Sequence, residues 1–228
     1  MNNATEPVVW QFPARMSYDA SRRPLEMEQL LGRRVAISDD ALSQVSKVVR
    51  KSAAGLRAPE RPFATFVFLG PNRDKKIALA RALAGHLYGD ESMLAHFDLA
   101  RFQSADAVER LLGGPPIAEG ELSAVIRRSP CSVILFEEMR MAHRGVWSLF
   151  VQICEEGNIS DAIGRPLDFK TKIVIATTDV GGNQYMPGTL KSDDPEGYRQ
   201  AWTTIQKEIE QTFTDLFRRV EPIWIGAD

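Results

Sequence analysis

The stretch FATFVFLGPNRDKKIALARALAGHL, residues 63–87, decides the fold of this 228-residue chain. Phe63 to Leu69 is a short apolar run ending at Gly70-Pro71, which reads as a buried strand running into a turn. Ile77, Leu79, Ala80, Leu83, Ala84 and Leu87 then make a densely apolar helical segment. Strand, loop and helix are the setting of a phosphate-cradling loop, whose pattern is GxxxxGK followed by Ser or Thr. Gly70 and Lys76 hold the first glycine and the lysine of that pattern. Lys75 stands where the second glycine belongs, and Ile77 where the hydroxyl belongs. The setting of the loop is kept while its working parts are replaced.

Outward from this stretch, strands and helices alternate. Residues 39–54 predict an amphipathic helix, capped by Ser38 or Asp39, with Leu42, Val45, Val48 and Val49 on one face. Leu94 to Leu99 is a second strand, with a short helix around Asp106 to Leu112 after it. Gly113-Gly114-Pro115-Pro116 breaks the chain before a helix at Glu121 to Arg128. Ser132 to Phe136 is a third strand and runs into two carboxylates, Glu137 and Glu138. A helix from Val146 to Glu156 stops at Gly157. Residues 158–169 suggest a hairpin turning at Gly164-Arg165-Pro166, and Lys172 to Thr177 is a fourth strand. After a loop from Gly181 to Gly197, a long helix carries Trp202, Ile205, Ile209, Phe213 and Leu216, and Ile223 to Ile225 is a last strand. The order predicts an α/β domain of three layers around a mostly parallel five-stranded sheet. Residues 1–30, with Pro7, Pro13 and Pro24, read as an extended arm anchored by Trp10 and Phe12; residues 31–228 form the α/β domain.

Composition narrows the function. A net charge of −2 and a pI near 6.0 give no global attraction to nucleic acid or anionic membrane. The local cluster Lys47, Arg50, Lys51 and Arg57 reads as a solvated helix face, with nucleic-acid contact as the alternative. Cys131 and Cys154 lie in apolar surroundings without metal-ligand spacing and are expected to be reduced. No apolar run is long enough to span a membrane and MNNATEP is not a signal peptide, so the cytoplasm is the expected compartment.

Five strings, in register over nearly the whole chain, resemble the second ATPase module of Clp-type disaggregases in the AAA+ superfamily. They are VVWQFPARMS, LGRRVAISDDALSQVSKVVRKSAAGL, RPFATFVFLGP, SVILFEEMRMAH and GNISDAIGRPLDFKTKIVIATT. The resemblance implies a P-loop NTPase-like fold. The small helical lid that follows this core in the family is expected to be absent from this chain, whose sequence runs to Asp228.

The resemblance also implies a role for each site position. Gly70, Lys75, Lys76 and Ile77 fall on the phosphate loop, and Val35 and Ala36 on the adenine-side loop. A left-handed Lys75 in a retained loop would cost about 1–2 kcal/mol. Ile77 cannot ligate Mg²⁺ as a hydroxyl does. Lys76 and Arg73 are then either exposed basic residues or a residual anion site at the helix start. Glu137 takes the place of an Asp that helps hold Mg²⁺, and Glu138 that of the Glu that polarises water. Asp179 replaces an Asn that faces the γ-phosphate. A charge there, ~5 Å from phosphate oxygens, would repel by about 3 kcal/mol at an effective dielectric of 20. Arg219 matches the arginine finger or is an ordinary surface arginine; His143 matches a histidine after the paired acids or is structural. GGPP runs through Ile117-Ala118-Glu119-Gly120 into the next helix without the aromatic loop with which the family grips substrate.

The expectation is a catalytically degenerate AAA+ domain, a pseudo-ATPase kept as a structural or regulatory module. It needs no cofactor, and its partner is another protein, with an active AAA+ relative as one candidate; the oligomeric state stays open. The alternatives are a slow or partner-completed ATPase, with ATP and Mg²⁺ as cofactors, and a nucleotide or anion sensor.

Overall fold

The computed structural model describes residues 24–115, 119–128, 132–180 and 221–225, together with 196, 200, 203, 204 and 207. Two helices, α1 (Pro24–Arg34) and α2 (Asp39–Ala53), precede the first strand, β1 (Ala64–Leu69). Then come α3 (Arg73–Tyr88), β2 (Leu94–Asp98), α4 (Ala107–Leu112), α5 (Glu121–Arg128) and β3 (Val133–Glu137). They are followed by α6 (Arg144–Glu156), the strand pair β4 (Asn158–Ser160) and β5 (Pro166–Asp168), β6 (Ile173–Thr177) and β7 (Glu221–Trp224).

β2, β3, β6, β1 and β7 lie in that order in one sheet, with every pairing parallel. Alternate residues of each strand enter opposite layers, as the two-residue period of a strand requires. Phe66 and Phe68 of β1 join Leu135 and Ile175 against α1, α2 and α3. Val67 and Leu69 join Phe136 and Ala176 against α4, α5 and α6. Phe136 shows how tightly the second layer is filled. It stacks on Phe97 with centroids 5.7 Å apart and meets Phe150 edge-on at 5.7 Å. Truncating such a ring to alanine costs about 3–5 kcal/mol. The three-layer, five-stranded expectation holds, and β4 and β5 form the antiparallel hairpin.

α1 corrects part of the reading of residues 1–30. Pro24 is the first residue of the helix, where its missing N–H and fixed φ are tolerated, so it opens a helix instead of extending an arm. Met27 and Leu31, one turn apart, are fully buried against α2 and α3. Trp10 and Phe12 lie outside the described residues, as do Cys131 and nearly all of the Gly181 to Gly197 loop. α2 follows its prediction closely: Ser38 caps it, accepting from the Ala41 amide at 3.3 Å.

The basic cluster is partly absorbed by the fold. Arg50 pairs with Glu28 at 3.2 Å, and Arg57 donates to the Arg61 carbonyl at 2.7 Å while lying over the Phe63 ring. Among the described residues no helix is long and apolar enough to cross a membrane. Cys154 is a free, buried cysteine.

Candidate functional site

All five strands point the same way, so their carboxyl ends share one edge, the place where open α/β sheets form binding crevices. Register brings three ends together there: Phe68 of β1 lies beside Thr177 of β6, and Phe136 of β3 beside Ala176. The loop after β1, the acids after β3 and the turn after β6 therefore converge. Gly70, Lys75, Lys76, Ile77, Glu137, Glu138 and Asp179 all lie on or next to these ends.

The loop after β1 differs from the expected cradle. α3 begins at Arg73, and the Asn72 side chain caps it by accepting from the Lys75 amide at 3.1 Å. The Arg73 amide donates to the Pro71 carbonyl at 3.1 Å, and the Lys76 amide to the Asn72 carbonyl at 3.3 Å. Three amides of the stretch are thus satisfied within the chain. Lys75 is helical, not left-handed, so the strain expected of it does not arise; Glu138 is the non-glycine residue with positive φ among those described. With a side chain in place of glycine, continuing the helix is cheaper than holding a left-handed turn.

Lys76 is not an exposed basic residue. It is 1% exposed, and its ammonium donates to the carbonyls of Gly70 at 2.6 Å and Thr178 at 2.8 Å. Burial lowers its pKa below the ordinary lysine value, against the pull of Glu138, Asp179 and Glu137 and with the help of Arg73. Ile77 is half-buried and packs beside the α1–α3 layer.

Arg73 turns the other way, toward the acids. Its Nη2 donates to Glu137 Oε2 at 2.8 Å, and its Nε makes an ion pair with Oε1 outside hydrogen-bonding geometry. His96 Nε2, on the neighbouring strand β2, sits 2.7 Å from the same Oε2. The Glu137 side chain is completely buried, whereas that of Arg73 is about half exposed. Glu137, expected to help hold a metal, thus already has a cationic partner from the first turn of α3. Among the described residues no group of three or more His, Cys, Asp or Glu is arranged to hold a metal ion.

Glu138 keeps its place just past β3, at φ 56°, with its amide donating to Thr177 Oγ1 at 3.2 Å. Burial raises its pKa above the ordinary carboxyl value; Asp179 and Glu137 add to this, while Lys76 and Arg73 oppose it. Asp179 is not a bare charge: Arg140, in the turn after Glu138, pairs with it at 3.2 Å. His143 is structural, its Nδ1 capping α6 by accepting from the Gly145 amide at 3.2 Å. The loop that the resemblance assigned to the adenine side joins α1 to α2. Val35 points into the core and Ala36 is exposed. Next to it a groove of about 570 Å³ opens between Arg34, Asp74, Ile77, Ala78, Arg81 and Glu91. Arg219 lies outside the described residues.

Sequence reasoning missed Asn72 as a cap, although Asn one residue before a helical pattern is a recognisable signal. It missed His96 and Arg140 for a different reason. Their partners are set by strand register and turn geometry, which leave no local trace.

The parallel sheet, with its loop after β1 and acids after β3, defines a P-loop NTPase-like domain. A family model described as AAA domain (Cdc48 subfamily) matches residues 61–220, and the chain belongs to that AAA family. Among its relatives, the ATP-dependent Clp protease ATP-binding subunit ClpC of Staphylococcus aureus is 38% identical over 213 residues, 89% of this chain and 26% of the relative. The ClpC of Staphylococcus epidermidis is 36% identical over the same lengths. The solved S. cerevisiae Hsp104-ADP complex superposes with a TM-score of 0.81 at 28% identity, covering 92% of this chain and 37% of that one. The chain spans about a quarter of the length of the curated relatives it matches.

Proposed function

We propose that this chain is a catalytically silent AAA+ module of Clp type, acting as a structural or regulatory protein-binding unit. The observation that carries the reading is the Arg73–Glu137 ion pair. It places a guanidinium from the phosphate loop against the carboxylate that the family resemblance assigns to Mg²⁺. The neighbouring positions support the same conclusion. Two of Lys76's three ammonium donors go to carbonyls, the Asn72 cap occupies a loop amide, and Ile77 offers no oxygen. On this reading the residues present do not fit Mg-ATP.

The reading is tested by nucleotide titration with and without Mg²⁺, together with ATP turnover. The expected result is no Mg²⁺-dependent binding and no turnover. Turnover that disappears in Glu138→Gln would establish the rival reading, a slow or partner-completed ATPase. That rival draws on the retained Lys76 and Glu138, whose charges act on each other at the carboxyl edge of the sheet. Binding without hydrolysis would instead establish a nucleotide or anion sensor.

For a silent module the working surface is one of protein contact. The ClpC relatives are named as ATP-binding subunits of a protease, and an active AAA+ relative is the partner class this reading favours. Light scattering of the purified chain with and without ATP tests this. A nucleotide-independent size supports the reading, and a hexamer that forms only with ATP refutes it.

A further inference from the structure

We infer that Arg73 is an internal replacement for a divalent cation, holding the loop after β1 to the end of β3 without metal or nucleotide. The inference rests on the reading of the site as one that does not take Mg-ATP, and it goes further by assigning the cation's structural work to one side chain.

The argument begins with Glu137. A carboxylate removed entirely from water needs a positive partner, since an unpaired buried charge is strongly destabilising. Arg73 supplies that charge through its planar fork, with Nη2 on Oε2 at 2.8 Å and Nε paired with Oε1. His96 adds a second nitrogen at 2.7 Å on Oε2 from the adjacent strand. Other charges near the pair are Lys76, with bonds to the Gly70 and Thr178 carbonyls, Asp179, paired with Arg140, Glu138, and Asp98, which is in register with Glu137 on β2 and accepts from the Ala100 amide. Arg73 is therefore the guanidinium that reaches the buried acid from the loop side, and it comes from the first turn of α3, next to the Asn72 cap. Arg73 thus supplies, from the loop side, the positive charge the acid requires. Tying β1–α3 to β3 in this way makes the arrangement of the carboxyl edge independent of bound ligand.

The test measures melting temperature of the full chain in millimolar MgCl₂, against NaCl at matched ionic strength and without nucleotide, so nucleotide binding cannot influence the result. The proteins compared are wild type, Arg73→Gln, and Arg73→Gln with Glu137→Gln. Arg73→Gln is expected to melt about 5–10 °C below wild type and to recover part of that loss in Mg²⁺. Wild type and the double variant should ignore Mg²⁺, and the double variant should melt above Arg73→Gln, because it has no uncompensated acid. If Arg73→Gln does not fold, a folded double variant sustains the proposal and an unfolded one overturns it. A folded Arg73→Gln with wild-type stability, or one indifferent to Mg²⁺, overturns it as well. Nucleotide titration of wild type fails or succeeds separately, so loss of the silent-module reading and loss of this inference are distinguishable.

Discussion

Lys76 in the first turns of α3 and Thr178 just beyond β6 are joined by an ammonium-to-carbonyl hydrogen bond of 2.8 Å, fully buried and spanning 102 residues of sequence. The same ammonium reaches the Gly70 carbonyl, so one side chain ties the ends of two neighbouring strands. Two of the three ammonium donors are thus used in the fold.

Lys76→Met keeps most of the stem and removes the donors. It is expected to destabilise the chain by about 2–4 kcal/mol, because two buried carbonyls lose a charged partner. Urea unfolding checks this. A variant as stable as wild type would mean that the ammonium is dispensable to the fold.

The pH dependence has two parts with opposite signs. Glu138 has a raised folded pKa, so the folded state holds its proton longer than the unfolded chain does. Stability from this group declines as pH rises from the ordinary glutamate range through the raised value. Glu138→Gln should flatten that decline and raise neutral-pH stability by less than about 1 kcal/mol, since the group is only half-buried. Lys76 has a lowered folded pKa, so between that value and the ordinary lysine value the unfolded chain binds more protons. Stability from Lys76 therefore rises with pH in that alkaline window, and Lys76→Met should lose the rise. Unfolding free energies measured across acidic to alkaline buffers separate the two.

Mg-ATP should leave the melting temperature unchanged. A ligand specific to the folded state adds about 2.7 kcal/mol at a hundredfold excess over its Kd, a shift of several degrees in a domain of this size. A shift that requires Mg²⁺ would favour the sensor or ATPase reading. One produced equally by sulfate would point to a general anion site near Arg73, Lys75 and Lys76.

Gly157 ends α6 at φ 57°, and a Cβ added there would sit 2.0 Å from the Glu60 carbonyl oxygen. Gly157→Ala must move backbone and should cost several kcal/mol, well beyond the ~1–2 kcal/mol of a left-handed alanine. Gly89, at φ 76° with nothing within 4 Å, should cost only that smaller amount. Comparable melting points for the two alanine variants would contradict the close approach of residues 60 and 157.

Burial pushes the Cys154 thiol well above its ordinary pKa. In a Cys131→Ser background the native protein should resist thiol reagents at neutral pH and react fully once unfolded. Rapid native labelling would place Cys154 at the surface.

The sequence by itself determined the layers and their order. Short continuous apolar runs and apolar periods of about three and a half residues, punctuated by Gly70, Gly113 and Gly157, mark strands and helices because burial acts on each element locally. The resemblance added which positions converge, and Gly70, Lys76, Glu137, Glu138 and Asp179 do meet at one edge. Local pattern could not tell that Pro24 opens a helix, since proline suits an extended arm and a first helical turn equally. Nor could it give the partners of the charged residues. Lys76 reads as a basic loop residue until parallel register puts Thr178 beside it, and Glu137 reads as the stand-in for a metal-holding acid until α3 delivers Arg73 and β2 delivers His96. Charge pairing depends on distances of a few ångströms between segments far apart in sequence, and only the tertiary structure sets those distances.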